Sequence, residues 1–182
     1  MDNKRKILWI TRTAVFIALL IVLQAATAPL GNILITGSIV NLLLIVSVMT
    51  CGFASGLTVA AVSPVMAKLL GIGPLWALIP FIALGNIVLV LLWHFIGNRS
   101  FGGKKFAGYV VALIISAISK FLTLYIGIVQ IAIPMFLGLP EQQAKVISNM
   151  FSIPQLFTAL IGGAIATVLI PTLQKAIGER RE

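Results

Sequence analysis

One cysteine, one histidine and four acidic residues are all that 182 positions hold of those types, and each shortage removes a class of chemistry. Cys51 alone allows no internal disulfide and no cysteine-based metal cluster. The acids are Asp2, Glu141, Glu179 and Glu182, and none falls within an apolar run. Proton-coupled transport through an intramembrane carboxylate relay is therefore not expected. His94 stands near the end of an apolar run, where packing at the membrane interface suits it better than a proton relay. No nucleophile–base pair, catalytic triad or metal centre can be assembled, so the chain reads as a non-enzyme without a cofactor. Gly71-x-Gly73 leads into Pro74 and not into Gly-Lys-Ser, so there is no P-loop for ATP.

Apolar sequence is what the chain has in excess. With 60% hydrophobic and 9% charged residues, it reads as an integral membrane protein. The length has room for about six helices of roughly 20 residues. The formal charge of +9 follows from the positive-inside rule and attraction to anionic lipid, and nucleic acid is not an expected partner. Ten of the thirteen basic residues form three clusters. Lys4, Arg5, Lys6 and Arg12 open the first apolar run. Arg99, Lys104 and Lys105 lie in the central polar break. Lys175, Arg180 and Arg181 follow the last run. If all three clusters face the cytoplasm, an even number of spans separates each pair.

The expectation is an all-α integral membrane protein, a single domain over 1–182 built as one six-transmembrane-helix bundle. Its N- and C-termini are cytoplasmic, and it is multi-pass in the plasma membrane. Spans are placed at about 7–28, 38–52, 54–70, 76–97, 106–133 and 154–173, with a short external helix at about 141–149. Pro29-Leu30-Gly31-Asn32, Gly71-Ile72-Gly73-Pro74 and Gly138-Leu139-Pro140 supply the outer breaks. The turn near Gly52 carries no charge and is placed on the cytoplasmic side by parity alone. The N-terminus imitates a secretory signal, but the stretch from Ile7 to Leu23 is longer than a usual signal core. It is read as a retained first span.

Two patterns of small residues suggest close helix approach. Ala14 and Ala18 lie one turn apart on the first helix, serving either a partner or the bundle's own packing. Gly52 and Gly56 flank the second turn, and a tight turn uses glycine anyway. Two lysines, Lys68 and Lys120, sit inside apolar sequence. Lys120 falls near mid-depth of the fifth span, where an uncompensated charge costs a few kcal/mol. No span carries an acid to pair with it, which leaves carbonyls, water or an anionic ligand. Lys68 is near enough to the outer end to snorkel. Asn41, Asn86, Ser116, Tyr125 and Asn149 lie at depths that complete a binding site with the two lysines. Asn and Gln also serve as ordinary interhelical hydrogen-bond partners. Trp76, Phe81, Phe121, Tyr125 and Phe151 are candidates for stacking on a planar ligand.

These features resemble a known family. A short six-helix chain with a basic N-terminus and Ala14-x-x-x-Ala18 on its first helix is similar to the substrate-binding S component of energy-coupling factor (ECF) transporters. Gly37-Ser38-Ile39-Val40-Asn41, Ser63-Pro64-x-x-Ala67 and Pro80-Phe81-Ile82-Ala83-Leu84-Gly85-Asn86 look like one branch of it, whose substrate these motifs leave open. The resemblance implies capture of a vitamin or related micronutrient from outside. It also implies docking through Ala14 and Ala18 onto a membrane coupling subunit that carries two ATPases. The two lysines without a membrane acid point to an anionic substrate such as pantothenate, niacin or biotin. The alternatives are a non-transport scaffold or assembly subunit, packing on its partner through the first helix, and a membrane-embedded lipid-modifying enzyme.

Overall fold

The computed structural model describes residues 3–178. Asp2 and Glu179–Glu182 lie outside the described residues, and so do the side chains of Lys4 and Arg5. Among the described residues seven α-helices follow in order: α1 Asn3–Thr27, α2 Ile33–Cys51, α3 Phe53–Leu69, α4 Ile79–Gly97, α5 Lys105–Leu124, α6 Glu141–Met150 and α7 Ile153–Gly178. No strand occurs among the described residues.

Five segments of the described residues are long and apolar enough to cross a membrane: Lys6–Leu30, Ile33–Cys51, Trp76–Gly97, Lys105–Leu137 and Glu141–Ala176. The sixth apolar helix, α3, has only 17 residues, a rise of about 25 Å against a hydrocarbon core of about 30 Å.

Helix ends follow local chemistry. Asn32 caps α2, its side chain accepting from the Leu34 amide at 3.0 Å. This starts α2 at Ile33, ahead of the position expected from Gly37. Gly37 is helical and lies against Thr158 of α7, where an added Cβ would sit 2.7 Å from Thr158 Cγ2. Pro80 stands in the first turn of α4, where a proline has no hydrogen bond to lose. Gly52 joins α2 to α3 with a φ of 93° that other residues rarely adopt. Gly56, one turn on, backs onto Val48 so closely that any side chain would strike it.

Pro134 does not end the fifth helical segment. The chain leaves α geometry at Tyr125 and continues in a wider π-type winding to Leu137. Pro134 therefore interrupts no α-helical ladder. Gly138, in the left-handed conformation at φ 51°, stops the segment.

The core is shared by α2, α3, α4, α5 and α7. Leu44, Ile45, Val59, Leu89, Val90, Trp93, Ala112, Ala166 and Ile170 are buried there. A smaller cluster of Leu78, Leu124, Ile128, Ala132, Ile147 and Phe151 closes the other end. At the end holding the 98–104 loop, Gln174 of α7 donates to the Met49 carbonyl at 3.0 Å and accepts from the Tyr109 hydroxyl at 3.3 Å. There His94 packs on Phe53 with ring centroids 4.8 Å apart. Helix α1 lies at the rim. Ala14 and Ala18 are exposed on it, beside Val15 and Leu19. It is tied to α3 by the Thr13–Ser55 hydroxyl contact of 3.0 Å.

Candidate functional site

A cavity of about 330 Å³ opens at the end of the bundle where Gly31–Ile33, Ile72–Pro74 and Met150–Phe151 turn. It runs inward to Lys120 on α5, with Asn41 of α2 and Asn86 of α4 beside it. All three residues are buried. Lys120 Nζ donates to Asn41 Oδ1 at 2.5 Å and to Asn86 Oδ1 at 2.7 Å. Two side-chain amide oxygens thus replace part of the hydration that the ammonium lost. An ammonium has three N–H donors, so one remains. Among the described residues no acid lines the cavity, and the lysine's charge is solvated there by neutral partners.

Close helix approach fixes both asparagines. Gly162 of α7 lies against α2, and a Cβ there would be 2.9 Å from Asn41 Cβ. Asn41 Nδ2 then donates to Thr158 Oγ1 at 3.2 Å, which aims Oδ1 at Lys120. Thr158 itself donates to the Gln155 carbonyl at 3.0 Å. On the other side Gly85, next to Asn86, lies against Leu124, one turn beyond Lys120. A Cβ on Gly85 would be 2.8 Å from Leu124 Cδ2. Small residues at both contacts bring the carrying helices close enough for short polar bonds.

Of the residues singled out in the sequence, Lys120, Asn41 and Asn86 come together. The others stand elsewhere. Ser116 is buried one turn from Lys120 and donates to the Leu113 carbonyl at 3.4 Å, outside the cavity lining. Tyr125 stacks on Phe121 at 5.7 Å and accepts from Gln130 at 3.0 Å. Asn149 is exposed on α6. Lys68 is half-buried, its Nζ 3.5 Å from the Gly73 carbonyl. It borders a separate groove with Pro74, Gln142, Gln143 and Val146. Of the aromatic candidates only Phe151 lines the cavity.

Gln24, Ser63 and Thr158 are among the lining or supporting residues that carried no assignment from sequence. Gln24 had a legible signal, since an amide inside an apolar run calls for a partner. Ser63 and Thr158 had none, because a hydroxyl in a helix can bond its own backbone.

The cavity walls are mostly aliphatic, from Ile33, Val40, Pro64, Ile72, Ile82 and Leu124, with Asn32, Thr36, Phe151 and Gln155 also lining them. An apolar cleft with a few convergent polar groups is the usual form of a small-molecule site. The size also suits a small occupant. At about 30 Å³ per water, it holds the volume of roughly eleven waters, hence a ligand of roughly ten to fifteen non-hydrogen atoms.

No curated protein and no solved structure matches the chain. A sequence model described as "ECF transporter, substrate-specific component" matches residues 9–174. That span takes in every residue of the cavity and all or most of each apolar helix. The chain belongs to this family of membrane subunits, which bind a small substrate, work with a membrane coupling module and are not enzymes.

Proposed function

We propose that the cavity at Lys120 captures a small anionic vitamin or related micronutrient from outside the cell, for ATP-driven uptake by a separate coupling module. The observation that supports this most is the Lys120 ammonium, held by Asn41 and Asn86 in a lining without an acid. A carboxylate would take the remaining N–H and neutralise the charge in one contact, and charge-assisted bonds of that kind are roughly twice as strong as neutral ones. Pantothenate, niacin and biotin fit the cavity's size class.

The same reading places six spans in the plasma membrane, with α3 as the short sixth. Both termini and the 98–104 loop face the cytoplasm, and the cavity mouth faces out. Ala14 and Ala18 dock on the coupling subunit, which holds two ATPases. Their exposure on the least covered of the five long apolar segments favours that role over packing within the bundle. The test is a thermal-shift screen of the purified chain against vitamins. A small carboxylate should raise the melting temperature with a concentration dependence set by its affinity. Stabilisation only by cationic or neutral compounds would refute the anionic assignment.

A further inference from the structure

Gln24 is the one polar side chain that α1 contributes to the cavity. Its Oε1 is sealed from solvent and has no hydrogen-bond partner among the described residues. Its Nε2 has none among the described residues either. A half-buried amide left without a partner is costly, and proteins retain such groups where something else completes them. The Asn86 amide nitrogen and the Ser63 hydroxyl border the same space and are likewise without a partner among the described residues. The rest of the lining is mostly aliphatic.

We infer that the ligand is an aliphatic carboxylate bearing a second, neutral hydrogen-bonding group, an amide or hydroxyl, whose oxygen accepts from Gln24 Nε2, the end of that side chain that is not sealed. This rests on the reading above that Lys120 receives the anion, and it adds a selectivity for the ligand's other end. Gln24 lies in the last turn of α1, next to Ala28 and the mouth. Lys120 lies at the inner end. A ligand spanning the two places its charge inward and its neutral polar group toward the mouth. A simple fatty acid of equal length fills the same space but leaves the Gln24 amide unpaired. Discrimination by an unpaired site group is the mechanism that lets a pocket reject an analogue lacking a hydrogen-bonding function.

The test uses the isolated full chain in detergent and two probes of equal chain length. One is 4-acetamidobutanoate, with a carboxylate and an amide; the other is heptanoate, with a carboxylate alone. Affinities are measured by calorimetry for the wild type, Gln24→Leu and Gln24→Met. The acetamido acid should lose about tenfold relative to heptanoate in both variants, as one neutral hydrogen bond implies. Lys120→Met should weaken both acids alike. If both acids bind the wild type and neither Gln24 variant changes their ratio, this inference is overturned and the anionic reading stands. If no small carboxylate binds at all, in this pair or in the vitamin screen, both fall together.

Discussion

Asn41 and Lys120 stand 79 residues apart in sequence and meet at 2.5 Å, amide oxygen to ammonium, across the packed centre of the bundle. Neither makes sense alone. A lysine at mid-bundle needs its lost hydration replaced. An asparagine in an apolar helix needs partners for both ends of its amide. Here Thr158 takes one end and Lys120 the other, so the asparagine is oriented before any ligand arrives. Asn86 supplies a second oxygen at 2.7 Å. The arrangement holds a cation still and leaves it unneutralised, the state an anion-binding site requires.

The first prediction follows from that unneutralised charge. Lys120→Ala should weaken binding of the anionic substrate by about 2–5 kcal/mol, as truncating one member of a buried charge pair does. The melting temperature of the empty protein should move little. Loss of two hydrogen bonds is offset by removal of a buried cation. Calorimetry beside melting curves measures both quantities, and an unaltered affinity would remove the lysine from the site.

A second prediction concerns the two asparagines. Asn86→Leu leaves the ammonium with one oxygen in place of two, and should destabilise the empty protein by about 1–3 kcal/mol. The same change made in a Lys120→Met background should cost much less, because no charge is left to solvate. The coupling energy from this double-mutant cycle should therefore be about 1–3 kcal/mol. Additive effects would mean that Asn86 serves only helix packing.

The sequence announces its breaks and its misplaced charges, and it conceals its faces. The turns at Pro29–Asn32 and Gly71–Pro74 are legible because proline and glycine cluster there between apolar runs. Gly37 looks like part of a turn as well, yet its small size serves a contact with Thr158 on a distant helix. Pro134 looks like a helix end, and the winding has already left α geometry before reaching it. Lys120, Asn41 and Asn86 stand out because polar groups in apolar sequence are few. That they bond one another depends on the α2–α7 and α4–α5 contacts, which no local pattern reveals. Ser116 shares depth and helix with Lys120 but turns to its own backbone. Tyr125 is five residues beyond Lys120, off its face of the helix, and bonds Gln130.

A third prediction tests docking. Ala14→Trp or Ala18→Trp should abolish uptake and co-purification with the coupling subunit, while the isolated variant binds substrate with unchanged affinity. Both alanines are exposed on α1 and neither lines the cavity. A bulky side chain there harms only an interface in which another helix approaches closely. Full uptake by either variant would show that the coupling subunit docks elsewhere.

The last prediction separates helix packing from ligand contact. Gly162 touches no ligand in the proposed site, and it does not line the cavity. A Cβ on it would meet the Ser38 carbonyl oxygen at 2.5 Å and Asn41 Cβ at 2.9 Å. Because a backbone carbonyl of α2 cannot swing aside as a side chain does, α2 and α7 must part. Overpacking of this kind costs about 1–3 kcal/mol. The displaced element carries Asn41, so its bonds to Thr158 and Lys120 lengthen together. Gly162→Ala should therefore lower the melting temperature and also weaken substrate binding, and Lys120→Met should abolish that second effect. Ala164→Leu, a larger change on the exposed side of the same helix, should do neither. If Gly162→Ala destabilises the protein and leaves affinity intact, the α2–α7 contact holds the fold without positioning the site.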